Sequence, residues 1–180
     1  MKPEMQNEHK EEQQDEVPEF RFAVITMSDK GSRGERDDTS GAALKELMTG
    51  RGYKLCHYSI VPDIVENIVS AVTSAIAVDH ADLVLTTGGT GVSPTDVTPE
   101  AMNQLFDKEL PGIAEAMRAA SLLITPRAVL SRGRAGIRNR SLIINLPGSK
   151  KAALENIAAV LPALDHAIEK IKGSTKDCAL

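Results

Sequence analysis

The chain has 180 residues, 42% of them hydrophobic, and a formal net charge of -4. That is enough apolar material for one core and too little basic charge for general attraction to nucleic acid. Aromatic residues make up 3% and Trp is absent, which argues against base-stacking platforms and requires a core of Val, Ile, Leu and Ala.

Residues 1–19 are dominated by Glu, Gln and Lys, a composition that reads as a disordered polar extension. It contains no apolar signal region, and no stretch of the chain approaches the roughly 18 apolar residues of a membrane span. The expectation is a cytoplasmic protein with no membrane partner. Residues 20–173 read as one domain and 174–180 as a flexible tail. Within the domain, short apolar runs alternate with stretches of helical period, the sign of βαβ units. The expected class is therefore α/β: a single three-layer domain whose mostly parallel sheet is flanked by helices.

In chain order, Arg21 to Met27 predicts a first strand and Ser40 to Met48 a helix closed by Gly50 and Gly52. Lys54 to Val61 predicts a second strand, in which Cys56 is a packed, reduced thiol; neither it nor Cys178 belongs to a C-x-x-C pair. Ile64 to Val78 carries Ile64, Ile68, Val72 and Ile76 on one helical face. Leu83 to Thr87 is apolar at its start without alternation, as a central strand buried on both faces requires. Thr98-Pro99-Glu100 reads as N-cap, first-turn proline and first-turn acid of a helix running towards Phe106. A further helix is expected from Ile113 to Leu123 and a strand from Ser141 to Leu146. Pro147-Gly148-Ser149 is a turn. The final helix, Lys151 to Ile171, turns Leu154, Ile157, Val160, Leu161, Leu164 and Ile168 inward, with a kink at Pro162.

Open parallel sheets bind ligands beyond the carboxyl ends of their strands. Ser28-Asp29, Pro62-Asp63, Gly88-Gly89-Thr90-Gly91, and Asn145, Pro147 and Gly148 all fall there. Glycines permit positive φ and let backbone N–H groups approach phosphate oxygens, and Thr90 adds a hydroxyl, so the loop can cradle phosphate. Neither G-x-G-x-x-G nor the P-loop pattern is present, and a plain tight turn reads equally well. Asp63 and Asp96 suit Mg2+ through hard oxygen donors; equally, Asp63 caps the helix beginning at Ile64 and Asp96 belongs to a turn. Arg127, Arg132, Arg134, Arg138 and Arg140, with Lys150 and Lys151, are phosphate ligands or solvated surface charge. Ser40, Ser121 and Ser131 read as ordinary helix or loop serines. His9, His57, His80 and His166 lie outside these loops, and no Ser/His/Asp constellation emerges.

The stretch LVLTTGGTGVSPTDVTPE, Leu83 to Glu100, resembles the molybdopterin adenylyltransferases of the MogA and gephyrin G-domain type. Further blocks match in order: ITMSDKGSRGERDDTSG at Ile25 to Gly41, IVPD at Ile60 to Asp63, PG at Pro111-Gly112, LSRGRAGIR at Leu130 to Arg138, and LIINLPGSKKA at Leu142 to Ala152. The resemblance implies a molybdopterin-binding fold, a homotrimer, and substrates molybdopterin and Mg-ATP. It implies that the terminal phosphate of molybdopterin attacks the α-phosphate of ATP, and that the product passes to a molybdate-inserting enzyme. A phosphate nucleophile, already ionised at neutral pH, needs no catalytic His or activated Ser.

By matching blocks, Asp63 and Asp96 become the catalytic and Mg2+-binding acids, with Asp29 a third contributor. Gly88, Gly89, Thr90 and Gly91 resemble the nucleotide-binding loop, and Asn145, Pro147 and Gly148 its neighbouring rim. Ser121 and Ser131 match positions near the pterin and its phosphate, with Arg132 or Arg138 as anion contacts. One departure is Thr95, where many relatives carry a basic residue. A non-catalytic molybdopterin carrier, a scaffold of the same fold, and hydrolysis of a nucleotide-linked metabolite stand as alternatives; the presence of Asp63 and Asp96 favours turnover.

Overall fold

The computed structural model describes residues 19–175. Nearly all of the polar extension, the last five residues of the tail and Cys178 lie outside the described residues. The elements are β1 (Arg21–Met27), α1 (Asp29–Ser32), α2 (Thr39–Gly50), β2 (Lys54–Val61), α3 (Val65–Ala77), β3 (Leu83–Thr87) and α4 (Thr98–Leu105). Then follow β4 (Lys108–Glu109), α5 (Pro111–Leu122), a 3-10 turn at Pro126–Leu130, β5 (Ala135–Arg138), β6 (Ser141–Leu146) and α6 (Lys150–Ile171).

The six strands form one sheet in the order β2-β1-β3-β6-β5-β4. β1, β2, β3 and β6 run parallel, whereas β5 is antiparallel to β6 and β4 to β5. All residues of β3 and β6 are buried, because helices cover both faces. The two-residue alternation of a strand divides the core. Phe22, Val24, Leu83, Leu85, Leu142 and Ile144 join Leu44 of α2, Met117 of α5 and the α6 residues Ile157, Val160, Leu164 and Ile168. Ala23, Ile25, Val84 and Ile143 face the other way, onto Ile68 and Val72 of α3 and Met102 and Leu105 of α4. Three layers result, as expected.

Several local expectations need correction. No strand is expected at β4 or β5, because the few residues around Gly136 carry too little apolar pattern. A Cβ on Gly136 would lie 2.6 Å from Cγ of Phe106, so the glycine is there to admit that ring. Val97, not Thr98, caps α4, and Thr98 spends its hydroxyl elsewhere. Ile64 is the half-exposed N-cap of α3 rather than part of its buried face. Helix α6 runs unbroken through Pro162. Cys56 is half-buried in β2, its thiol directed at the Phe22 carbonyl, and burial pushes that thiol above its ordinary value.

The topology also positions the site. From β1 the chain moves out to β2 and then crosses back to β3 on the other side of β1. The connections after β1 and β3 therefore leave in opposite senses, opening a crevice at the carboxyl ends of the strands.

Candidate active site

The Gly88–Gly91 loop leaves the end of β3 in a shape that side chains would prevent. Gly88 has φ 105° and Gly89 φ 62°, both in the left-handed region that glycine reaches without penalty. A Cβ on Gly88 would lie 2.4 Å from the Met27 carbonyl oxygen, and one on Gly89 2.5 Å from Oγ1 of Thr98. The loop is pinned from three sides. The Thr98 hydroxyl donates to the Gly88 carbonyl at 2.9 Å and its N–H to the Gly89 carbonyl at 3.1 Å. The Gly88 N–H donates to the Leu146 carbonyl at 3.1 Å, and the Thr87 hydroxyl to that of Pro147 at 2.7 Å. From the far side, Arg132 donates its backbone N–H to the Thr90 carbonyl at 2.8 Å, Nε to that of Gly91 at 2.7 Å, and Nη2 to that of Asp96 at 2.6 Å. Its remaining charge meets Glu100.

Asp63, at the end of β2, does not cap α3. Instead Asp29 and Asp63 bind each other's backbone: the Asp29 N–H donates to Oδ2 of Asp63 at 3.1 Å, and the Asp63 N–H to Oδ1 of Asp29 at 3.0 Å. Burial is the main cause raising the Asp63 carboxyl above its usual value; the Asp29 N–H opposes the rise, and the Asp29 and Asp96 carboxylates add to it. Asp96 accepts from the Ser93 N–H at 2.8 Å through Oδ2. Asp63 and Asp96 both line a cavity of about 740 Å³, together with Gly88, Gly89, Gly148 and the segment 36–40.

Those two acids suit Mg2+: they are hard oxygen donors whose mutual repulsion a cation relieves. Among the described residues no group of three or more His, Cys, Asp or Glu is arranged to hold a metal. A two-carboxylate site fits an ion that keeps waters and takes phosphate oxygens as its other ligands.

A second cavity, about 470 Å³, lies across the loop. Thr90, Gly91, Ser121, Ser131 and Pro147 line it, as do Arg118, Arg127 and Asn156. Gly89, Asp96 and Gly148 belong to the walls of both cavities. Buried Asn156 donates to Oγ of Ser121 at 2.7 Å and to the Ala152 carbonyl at 2.9 Å, fixing the serine. Arg118 donates to the Gly133 carbonyl at 2.9 Å.

The expected residues thus divide between places. Asp63 and Gly88 border the larger cavity, Thr90, Gly91, Ser121, Ser131 and Pro147 the smaller, and Gly89, Asp96 and Gly148 both. Asp29 stands behind Asp63 and borders neither. Asn145 is also elsewhere: it lies inside β6, its Nδ2 donating to the Thr86 hydroxyl at 2.9 Å and its Oδ1 accepting the Arg134 N–H at 3.2 Å. Those bonds tie β6 to β3 and to the segment entering β5, so its side chain is not a rim ligand. Arg132 and Arg138 are likewise structural ties, Arg138 reaching the Leu105 carbonyl and Asp107. Thr95 is exposed beside Ser93.

Sequence reasoning missed Asp38, Arg36, Arg118 and Asn156. Asp38 had a signal: an acid three residues before Gly41 at a helix start is an N-cap pattern. It accepts the Gly41 N–H at 2.8 Å and hydroxyls from Thr26 at 2.6 Å, Tyr58 at 2.7 Å and Ser40 at 3.2 Å. Burial alone pushes its carboxyl up, but these donors together hold it below the usual range. Asp38 therefore faces the larger cavity as a fixed carboxylate.

Comparison with known proteins agrees with this geometry. The family profile described as "Probable molybdopterin binding domain" matches residues 23–166. The molybdopterin adenylyltransferase of Helicobacter pylori (strain J99) is 43% identical over 159 residues, covering 86% of this chain and 89% of that protein. The molybdenum cofactor biosynthesis protein B of Bacillus cereus is 40% identical over 162 residues, covering 88% and 93%. The crystal structure of the molybdopterin biosynthesis enzyme MoaB from Thermus thermophilus superposes with a TM-score of 0.81 at 48% identity, covering 86% of this chain and 98% of that one. The mostly parallel six-stranded sheet, the loop at its switch point and these relatives together show that the chain belongs to the molybdopterin-binding domain family of molybdenum cofactor biosynthesis.

Proposed function

We propose that this chain is a molybdopterin adenylyltransferase that uses Mg-ATP. The observation that carries the reading is the pair of cavities sharing one wall, built from Gly89, Asp96 and Gly148. Two substrates bound on either side of that wall meet at it. Both volumes lie in the range of small-molecule sites. ATP takes the larger cavity, where Asp63 and Asp96 would hold Mg2+. Molybdopterin takes the smaller, its phosphate near Ser121, Ser131 and Arg127.

A terminal phosphate oxygen of molybdopterin attacks the α-phosphorus of ATP. A P–O bond forms, the bond from the α-phosphorus to the α,β-bridging oxygen breaks, and pyrophosphate leaves with the electron pair. Bound Mg2+ supplies charge neutralisation on the nucleotide phosphates. The chain's own part is alignment: the fixed loop backbone orients the α-phosphate, and Arg132 keeps Asp96 at the shared wall. No proton need be taken from the nucleophile, which accounts for a site built without histidine.

The reading extends to the assembly and its setting. Leu122, Leu123, Ile124, Val129 and Leu130 are exposed close together beside the smaller cavity, an apolar surface suited to contact between copies in a homotrimer. No helix among the described residues is long and apolar enough to cross a membrane. The product passes in the cytoplasm to a transiently bound, molybdate-inserting enzyme. Incubating the protein with molybdopterin, ATP and Mg2+ should yield adenylylated pterin and pyrophosphate in equal amounts, detected by mass. Asp63→Ala and Asp96→Ala should lower the rate by orders of magnitude while the fold persists. Pterin binding with no pyrophosphate release would instead favour the carrier.

A further inference from the structure

The larger cavity sets four carboxylates, Asp37, Asp38, Asp63 and Asp96, against two cations, Arg36 and Lys150. A nucleoside triphosphate adds several more negative charges, so those cations matter beyond their number. Three other arginines near the loop are committed, Arg132 to Glu100, Arg134 to Glu109 and Arg138 to Asp107, and Arg127 lines the smaller cavity instead. Arg36 and Lys150 are different. Neither side chain forms a hydrogen bond or ion pair with a described residue. Glu35, the neighbour that could satisfy Arg36, is taken by Arg33.

Their origins are complementary. Arg36 comes from the segment that follows β1, and Lys150 opens α6 after β6. β1 and β6 flank β3 on its two sides, so the cations approach the Gly-rich loop from both. Lys150 also breaks a local rule. It stands in the first turn of a 22-residue helix that has no acid there, where the helix dipole disfavours positive charge. Lys151 has partial relief from Glu155 at 3.8 Å, and Lys150 has none. A locally unfavourable cation that faces a cavity finds its reason in an anion.

We propose that Arg36 and Lys150 form a two-point clamp on the β- and γ-phosphates of the nucleotide, one that also holds the pyrophosphate leaving group. This rests on the adenylylation reading above, and it supplies the positive charge that Thr95 does not. The α-phosphate stays with the loop, so the clamp distinguishes triphosphate from monophosphate.

Calorimetric titration of the full chain with ATP, AMP and inorganic pyrophosphate, each with Mg2+, tests it. Arg36→Ala and Lys150→Ala should each weaken ATP and pyrophosphate roughly tenfold or more, with AMP affinity within about twofold of the native value. Lys150→Glu should abolish the ATP preference yet raise the ligand-free melting temperature by roughly 1–4 °C, a gain that a structural lysine would not give. Native protein that binds ATP while the variants keep its ATP-to-AMP ratio overturns the clamp alone. Native protein that binds neither nucleotide overturns the adenylylation reading and the clamp with it.

Discussion

Arg132 offers the sharpest test of how the loop is held. Its guanidinium reaches the carbonyls of Gly91 and Asp96 at 2.7 and 2.6 Å, the two shoulders of the turn that carries the Asp96 carboxylate. Hydrogen bonds from a charged donor contribute about 1.5–3 kcal/mol each when buried. The Arg132 side chain is 38% exposed, so the low end applies and the pair contributes about 2–3 kcal/mol. The exposed contact with Glu100 adds at most about 1 kcal/mol. Arg132→Ala should therefore lower kcat/KM by roughly 30- to 150-fold, since each 1.4 kcal/mol is a factor of ten. The drop should fall mainly on kcat, because Arg132 borders neither cavity. Arg132→Lys should recover only part of it, as one ammonium cannot reproduce the fork, and Glu100→Gln should change the rate little. Steady-state pyrophosphate release, with urea denaturation as a stability control, measures this. Activity within threefold of native in Arg132→Ala, or full recovery in Arg132→Lys, would refute the argument.

Further outcomes follow from neighbouring residues. Gly88→Ala forces a Cβ to 2.4 Å from a backbone oxygen at φ 105°, and should cost about 3 kcal/mol or more in a thermal or urea melt. Asn145→Ala strands the Thr86 hydroxyl and the Arg134 N–H; it should cost about 2–4 kcal/mol and leave both KM values unchanged. The Asp63 carboxyl is raised in the folded state, so the native state holds its proton longer than the unfolded chain. Its favourable contribution is full below the ordinary carboxylate range and is lost as pH rises through the raised value. Metal-free protein should lose stability across that window, Asp63→Asn should remove the loss, and Mg2+ should raise the melting temperature of native protein but not of that variant.

The sheet interior was largely legible because β3 and β6 are buried on both faces, which forces apolar runs, and β1 and β2 end where their polar neighbours begin. Short elements were not: β4 has two residues and β5 four, too few for a period to show. The loop and its acids could be read because backbone shape and hard donors require particular residue types. Asn145 misled because a polar residue near a strand end suggests a rim, yet the bond to Thr86 runs across the sheet. The arginines misled for a different reason. The carbonyls that bind Arg132 stand 41 and 36 residues away in sequence, and no local pattern records them.

The wall common to the two cavities has a kinetic corollary. In the proposed reaction each substrate touches one chamber, whereas adenylylated molybdopterin would span both and be held at two points at once. Its halves act as tethered ligands, each raising the effective concentration of the other, so the product should bind more tightly than either substrate. Escape then becomes slow relative to chemistry, and a rapid-mixing experiment should show a burst of about one product per site before the steady state. A protein that grips its product in this way works best when an acceptor draws the product off.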